Sequence, residues 1–131
     1  MIEKIDHIGI VVADLDQAIQ LYSKALGLKA GPVEVMRELN LKLCFLPVSE
    51  VMLELIQPIG AGMYQEYLET RGEGIHHICY KVPDIDESLL QAGKFLKFRD
   101  RKPRPGGGGS RIAFVEPQSI FNTETEFVER R

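Results

Sequence analysis

The 131-residue chain is long enough for one domain with its own hydrophobic core. An apolar fraction of 44%, a charged fraction of 27% and a formal net charge of −3 indicate a soluble globular protein and argue against non-specific binding to nucleic acid. No apolar run approaches bilayer length, the polar N-terminus is unlike a signal peptide, and Cys44 and Cys79 lie in apolar, strand-like segments. We therefore expect a cytoplasmic protein with two buried thiols, no membrane partner and no nucleic-acid partner.

The first part of the chain predicts one strand, one helix and then three strands. The Ile- and Val-rich residues 4–12 are typical of a buried strand. Asp14 is suited to cap the following helix, with Gln17 three residues later, and Gly27 is suited to end it. The three strands that follow are predicted over residues 32–37, 41–46 and 51–57.

A short helical connector over residues 60–70 and a loop lead to the second part, which repeats this order. Residues 75–82 predict a buried strand, and Asp84 caps a helix that ends at Gly93, about one turn shorter than the first helix. A long turn over residues 100–110 contains four consecutive glycines. The remaining predicted strands are a weak one over residues 96–99 and two more over residues 111–115 and 125–129.

The two parts align with each other at a constant offset along the chain. His7 aligns with His77, and Asp14 aligns with Asp84 at the same spacing. A repeat at constant offset indicates two copies of one supersecondary unit. The predicted fold class is therefore α+β, with two tandem βαβββ modules. The predicted single domain over residues 1–131 consists of module one (about 1–57), a connector (58–74) and module two (about 75–131).

The duplicated histidines and one carboxylate in the last strand of each module form a candidate metal site. Glu54 and Glu126 both lie among apolar or β-prone residues, and a buried carboxylate is costly without a partner charge or a metal. A single histidine or glutamate in a strand more often has a purely structural role. Purely structural roles for all four residues would have to arise at four matched positions of the repeat, and this favours a shared metal site. Two imidazoles and two carboxylates suit a divalent ion and allow cobalt, manganese, nickel, zinc or iron. The candidate ligands, expected to converge through pseudo-twofold packing, are His7, Glu54, His77 and Glu126.

His76 competes with His77 for a place in this site. Neighbouring residues of a strand point to opposite faces, so only one of the two histidines can face the site. The repeat selects His77, because His77 is the residue that aligns with His7.

Four segments carry a resemblance to a known family. They are residues 6–12 (DHIGIVV), 53–58 (LELIQP), 71–78 (RGEGIHHI) and 111–114 (RIAF). They resemble the vicinal oxygen chelate (glyoxalase/bleomycin resistance) superfamily and, within it, the methylmalonyl-CoA epimerase group. The resemblance covers nearly the whole chain to about Ser119. It implies a glyoxalase-like incomplete barrel around a divalent metal, with the superfamily's metal ligands falling on His7, Glu54, His77 and Glu126.

The resemblance implies a metal-dependent isomerase that removes the proton α to a thioester carbonyl, with the metal stabilising the enediolate. Glu126 and Glu54 are the implied bases, because a ligand carboxylate that detaches from the ion can accept a proton. The implied partner is a small-molecule substrate, with acyl-CoA as a candidate, and the implied assembly is a homodimer. Two alternatives stay open: a glyoxalase I-like lactoylglutathione lyase with the same metal and bases, and a non-catalytic small-molecule-binding member of the superfamily.

Two features depart from the epimerase pattern. Epimerases follow the seventh strand with His-Pro-Lys-Ser and a pair of glycines, whereas residues 116–122 here read EPQSIFN. Some epimerases also carry a glutamate base on the third strand, whereas residues 41–46 contain no carboxylate. The residues that border the substrate pocket in the family therefore differ in this chain, and we expect a reshaped pocket around a retained metal site.

A basic cluster surrounds the glycine-rich turn. Arg104 and Arg111 flank the glycines and are candidates to bind a phosphate or carboxylate of an acidic substrate. For most of the other basic residues between positions 94 and 111, a solvated surface is the better interpretation. The glycine run lacks the Gly-Lys-Ser/Thr ending of a nucleotide-binding loop and predicts a flexible lip over the pocket.

Overall fold

The chain has the predicted α+β fold, and the computed structural model describes residues 1–130. Arg131, the last residue of the predicted second module, lies outside the described residues. The strands are β1 (Lys4–Val11), β2 (Glu34–Met36), β3 (Leu41–Val48), β4 (Val51–Pro58), β5 (Gly74–Lys81), β6 (Arg104–Pro105), β7 (Arg111–Phe114) and β8 (Thr125–Glu129). The helices are α1 (Leu15–Leu26), α2 (Met63–Arg71) and α3 (Ile85–Ala92).

The residues group into two compact units. The N-terminal unit comprises residues 7–76, and the C-terminal unit comprises residues 1–6 together with the chain from residue 77 onward. In the N-terminal unit, β1 pairs in parallel with β4, and β4, β3 and β2 follow as antiparallel neighbours. In the C-terminal unit, β5 pairs in parallel with β8, and β8, β7 and β6 follow as antiparallel neighbours. Both halves of the chain therefore have the predicted βαβββ order.

The same capping chemistry begins α1 and α3. Asp14 and Asp84 each accept a hydrogen bond from the backbone N–H three residues later, at 3.0 and 3.1 Å. These bonds satisfy one of the backbone donors that every helix start leaves unpaired. Helix α1 has 12 residues and ends at Gly27 with φ 69°, whereas α3 has 8 residues. The predicted shortening by about one turn is confirmed.

The predicted strand over residues 96–99 is wrong. Phe98 forms only an isolated bridge with Val115, and β6, inside the predicted long turn, is the strand that pairs with β7. The backbone N–H of Phe114 donates to the Asp100 carboxylate at 2.8 Å. The Asp100 side chain thus replaces a backbone partner of the Phe114 N–H, and residues 96–99 do not form a regular strand beside β7.

Each unit contains its own apolar core. The core of the N-terminal unit packs the inner face of α1 against β3 and β4, through the buried residues Val12, Leu15, Cys44, Leu46 and Leu55. The core of the C-terminal unit packs α3 against β7 and β8, through the buried residues Val82, Ile85, Ala92, Ala113 and Phe127.

Both cysteines are buried free thiols, as predicted. Burial raises the pKa of the Cys44 thiol because the thiolate would lose solvation there. Cys44 is therefore a protonated core residue and not a reactive nucleophile. None of the helices among residues 1–130 combines the length and the apolar character needed to cross a membrane.

Candidate metal centre

In the N-terminal unit, the pairing of β1 with β4 places His7 beside Glu54. Glu54 lies opposite Gly9 in the parallel register, and His7 is two residues before Gly9 and so faces the same side of the sheet. The Nε2 atom of His7 is 3.3 Å from Oε1 of Glu54. Both residues are buried, with 3% and 7% of their surfaces exposed. The sequence-based pairing of this histidine with this carboxylate is thus present in the fold.

The C-terminal unit builds the same pair. Glu126 lies opposite Cys79 in the register of β5 and β8, and His77 is two residues before Cys79. The Nε2 atom of His77 is 3.2 Å from Oε1 of Glu126, and the two residues are 1% and 4% exposed. The repeat in the sequence is therefore a repeat of local geometry, down to the atoms that meet.

Each pair includes a phenylalanine that the sequence analysis missed. Phe45 lies opposite Glu54 in the β3–β4 register, and Phe114 lies opposite Glu126 in the β7–β8 register. Their rings meet the neighbouring histidine ring edge-on, with centroids 5.7 Å apart for His7 and 5.4 Å apart for His77. The spacing between the two phenylalanines along the chain is nearly that between the two histidines and was the available signal. Each ring therefore forms part of the packing around one imidazole of the candidate site.

His76 has a different environment from His77. It is 8% exposed, and its ring packs against the rings of Tyr64 and Tyr67, each with a centroid separation of 4.9 Å. Because neighbouring strand residues point to opposite faces, His76 faces away from the carboxylate that pairs with His77. The structure thus places His77, and not His76, beside Glu126.

Arg111 is engaged by two carboxylates. Its guanidinium contacts Asp86 at 3.0 Å and Glu129 at 3.3 Å. The hydrogen bond to Asp86 is the main cause that raises the pKa of Arg111, so this side chain stays cationic. Glu129 also accepts a hydrogen bond from the first helical N–H of α3, that of Ile85, at 3.3 Å. These contacts favour a role of Arg111 in holding the start of α3 over the predicted role in substrate binding.

Arg104 lies closer to the candidate centre. Its guanidinium stacks over the ring of Phe114 at 5.6 Å and donates to Asp100 at 3.1 Å. Asp100 in turn accepts from the Phe114 N–H. Arg99 contacts the same ring at 5.8 Å and was not among the predicted substrate-binding residues. Two guanidinium groups therefore surround the ring that packs against His77.

The segment that departs from the epimerase pattern forms a short 3₁₀ turn, Pro117–Ile120, followed by a tight reversal. Phe121 and Asn122 both have positive φ, 58° and 57°, in the left-handed region where glycine is most easily accommodated. Phe121 is also 94% exposed. The chain thus keeps a backbone shape suited to the family's glycine pair without having the glycines.

Each His–Glu pair fits a divalent metal ion. Ligand atoms bound to one ion at about 2.0–2.2 Å lie roughly 3.0–3.4 Å apart at the usual angles. The Nε2–Oε1 separations of 3.3 and 3.2 Å agree with that spacing. Imidazole and carboxylate together suit the borderline and harder divalent transition metals. The donor set in each unit is therefore half of the predicted ligand set.

Comparison with known proteins identifies the family. The family model of the glyoxalase/bleomycin resistance protein/dioxygenase superfamily matches residues 6–114, which is most of the chain. The chain belongs to this superfamily, as the sequence motifs indicated.

Relatives within the superfamily include epimerases and uncharacterised proteins. An ethylmalonyl-CoA/methylmalonyl-CoA epimerase of Cereibacter sphaeroides is 31% identical over 125 residues, with 92% of each chain covered. An uncharacterised Bacillus subtilis protein, YqjC, is 33% identical over 128 residues, covering 96% of this chain and 91% of its own. The solved structure of a Streptomyces coelicolor methylmalonyl-CoA epimerase variant in complex with 2-nitronate-propionyl-CoA has a TM-score of 0.93 at 29% identity, with 98% of both chains covered.

Proposed function

We propose that this protein is a metal-dependent epimerase that moves the proton α to the thioester carbonyl of an acyl-CoA. The observation that carries the proposal is the duplicated His–Glu pair, with Nε2–Oε1 distances of 3.3 and 3.2 Å, in a chain whose relatives include methylmalonyl-CoA epimerases. A solved epimerase of TM-score 0.93 and 29% identity contains methylmalonyl-CoA. These relatives support an enzyme acting on a small acyl-CoA.

The proposal includes one divalent ion shared by His7, Glu54, His77 and Glu126. Its support is the family membership and the equal geometry of the two pairs. The ion would be cobalt, manganese, nickel, zinc or iron, all compatible with two imidazoles and two carboxylates. When bound, it would supply Lewis-acid stabilisation of negative charge on the carbonyl oxygen of the substrate.

The protein's own residues would hold the ligands and move the proton. Glu126 is the first candidate base and Glu54 the second, because both carboxylates are almost fully buried beside a histidine. A ligand carboxylate that detaches from the ion could then accept the α-proton of the substrate. Phe45 and Phe114 would keep the imidazoles in position and exclude water from the reacting centre.

Metal stoichiometry of single-histidine variants tests the shared ion. If one ion is shared, the purified protein should contain about one metal per chain, and His7→Ala and His77→Ala should each lose nearly all of it. If the two pairs bind separately, each variant should keep the ion of the intact pair, and the shared site would be wrong. The same preparations should be tested for deuterium exchange into methylmalonyl-CoA in D₂O. Absence of exchange by the metal-loaded parent protein would overturn the epimerase proposal.

A glyoxalase I-like lyase is the second candidate, because β3 lacks the glutamate base of some epimerases and the segment over residues 116–122 differs from theirs. The lyase would use the same ligands and the same bases on a glutathione thiol hemiacetal. Turnover of that hemiacetal without exchange into acyl-CoA would select it. Metal binding without either activity would select a binding protein.

The assembly and the location also belong to this proposal. A homodimer follows from the family resemblance, and light scattering of the purified protein over a concentration series tests it. A cytoplasmic location is tested by fractionation of cells that express the chain.

A further inference from the structure

Asp100 holds Phe114 through both its backbone and its side chain. Its carboxylate oxygen Oδ2 accepts a hydrogen bond from the Phe114 N–H at 2.8 Å, and its own N–H donates to the Phe114 carbonyl at 3.3 Å. Its other carboxylate oxygen, Oδ1, accepts from Nε of Arg104 at 3.1 Å. The guanidinium of Arg104 lies 5.6 Å from the centroid of the Phe114 ring. Asp100 therefore contacts the backbone of Phe114 directly and its ring through Arg104.

Phe114 connects this network to the candidate metal centre. Its ring meets the His77 ring edge-on, with centroids 5.4 Å apart and ring planes at 84°, and both residues are almost completely buried. The last side-chain torsion of a histidine has only broad intrinsic preferences, so neighbouring atoms select the orientation of the ring. That orientation decides whether Nε2 of His77 is directed at Oε1 of Glu126, which is 3.2 Å away. A displaced Phe114 ring would give the His77 ring room to turn.

The N-terminal unit has the same backbone contact without the carboxylate. Gly31 precedes Phe45 by as many residues as Asp100 precedes Phe114. The Gly31 N–H donates to the Phe45 carbonyl at 2.8 Å. Glycine has no side chain with which to accept a hydrogen bond or to hold an arginine. The Asp100 carboxylate is thus an addition of the C-terminal copy to a contact that both copies share.

Stabilisation of the loop is the competing explanation for Asp100. The Asp100 carboxylate and the Arg104 guanidinium are both partly exposed, and an ion pair of this kind contributes little to stability. The hydrogen bond from the Phe114 N–H to the carboxylate contributes more. The two explanations differ in what they predict for His77, because stabilisation of the loop alone leaves the orientation of the imidazole unchanged.

We propose that Asp100 is a positioning residue that, through Phe114, holds the His77 imidazole in the orientation in which its Nε2 binds the metal ion. The part that concerns the ion rests on the proposed function, whereas the hold on the His77 ring does not depend on it. Replacing residues that orient a metal ligand typically changes metal affinity about 10- to 100-fold.

The first test measures the affinity for cobalt. Asp100→Gly copies Gly31 of the first repeat and removes both side-chain hydrogen bonds, whereas Asp100→Asn keeps an oxygen that can accept from the Phe114 N–H. The Kd for Co²⁺, measured in competition with a chelator, should rise about 10- to 100-fold in Asp100→Gly and less in Asp100→Asn. The visible absorption of bound Co²⁺ should shift as well, because it depends on the arrangement of the ligands.

Asp84→Ala is the matched control for a loss of stability. It removes the carboxylate that caps α3 in the same unit, and loss of a helix cap lowers stability. Its melting temperature should fall, and its Kd for Co²⁺ should stay at the parent value.

The second test uses metal-free protein and proton NMR. The parent should show nuclear Overhauser effects between the ring protons of His77 and Phe114, and between those of His7 and Phe45. Asp100→Gly should weaken or abolish the first set and leave the second unchanged. The N-terminal pair is therefore an internal control for the fold.

The outcomes separate this inference from the proposed function. If Asp100→Gly lowers the melting temperature but keeps the His77–Phe114 effects and the parent Kd for Co²⁺, Asp100 only stabilises the loop and the inference is overturned. If the parent binds no Co²⁺, the metal-dependent function is overturned, and weakened His77–Phe114 effects in Asp100→Gly would still support positioning of His77. If the parent binds Co²⁺ but exchanges no α-proton, only the epimerase activity is overturned. If Asp100→Gly does not fold, Asp100→Asn is judged by the same criteria.

Discussion

The two His–Glu pairs have the same local geometry but differ in what surrounds them. In the N-terminal unit, His7 and Glu54 have Phe45 beside them and Met52 at the neighbouring strand position. In the C-terminal unit, charged side chains lie around the corresponding phenylalanine, Phe114. Glu124 occupies the strand position that matches Met52. The charged side chains are Arg99, Asp100 and Arg104.

This difference separates two roles within one repeat. The donor atoms that suit a metal are duplicated, since ligand geometry can be supplied equally by either copy. The polar surroundings are confined to the C-terminal copy, and a substrate bound beside the proposed ion would not itself be symmetric. We infer that the C-terminal copy is the one specialised for the substrate.

The largest expected difference between the copies is in proton transfer. Glu126→Gln keeps the size of the side chain and an oxygen atom for the proposed ion but removes the proposed base. Metal content should be largely retained, and α-proton exchange should fall by about 10²–10⁴-fold. Glu54→Gln should have a smaller effect if the C-terminal copy supplies the principal base.

The exposed Glu38→Gln is the control for loss of a carboxylate elsewhere. If Glu126→Gln exchanges protons at the parent rate with its metal in place, Glu126 is only a ligand. The base would then be Glu54.

The next largest expected difference between the two copies is in the contribution of their phenylalanines to stability. Phe114 is fully buried, whereas Phe45 is only partly buried. Truncation of a buried phenylalanine typically costs about 3–5 kcal/mol, through lost burial and the cavity that remains. We expect Phe114→Ala to lower the free energy of unfolding by that amount, measured by urea denaturation, and Phe45→Ala to lower it by less. Equal losses in the free energy of unfolding would show that the charged residues around Phe114 add nothing to its packing.

A smaller change of opposite sign is expected at Phe121. This residue has a φ of 58° and is 94% exposed, so it gains little burial in return for a strained backbone. Phe121→Gly should raise the free energy of unfolding by up to about 1 kcal/mol, because glycine adopts positive φ without a steric penalty. Gln118→Gly, at an exposed position without positive φ, should have the opposite sign. A destabilising effect of Phe121→Gly would show that the Phe121 ring makes stabilising contacts despite its exposure.

The smallest expected effect concerns the outer strand position matched in the two copies, Lys42 and Arg111. Lys42 lies opposite the neutral Gln57, whereas Arg111 lies opposite Glu129. Arg111→Met should therefore lower the melting temperature slightly at low salt, and the change should vanish in high salt as the charges are screened. Lys42→Met should show no such salt dependence. A salt-independent loss in Arg111→Met would indicate packing by its aliphatic stem instead of charge.

Local sequence signals predicted much of the fold and of the candidate centre. The capping residues Asp14 and Asp84, the alternating strands and the constant offset of the repeat lead to the βαβββ order without further information. The pairing of His77 with Glu126 was predictable for the same reason, because the repeat carries the geometry of one copy to the other. The missed strand β6 is only two residues long, and Pro105 gives it no local strand signal.

The sequence by itself determined the order of the elements, the duplicated donor atoms and the choice of His77 over His76, because these follow from periodicity and from the repeat. Only the tertiary structure decided which side chains surround those donors. The ring of Phe114 meets His77 across β5, β8 and β7, and Arg99 reaches Glu124 from a distant part of the chain. Contacts of this kind depend on strand register and side-chain direction. These in turn are fixed when the strands pair; the matched spacing of Phe45 and Phe114 indicates only that the two positions correspond, not which side chains they contact.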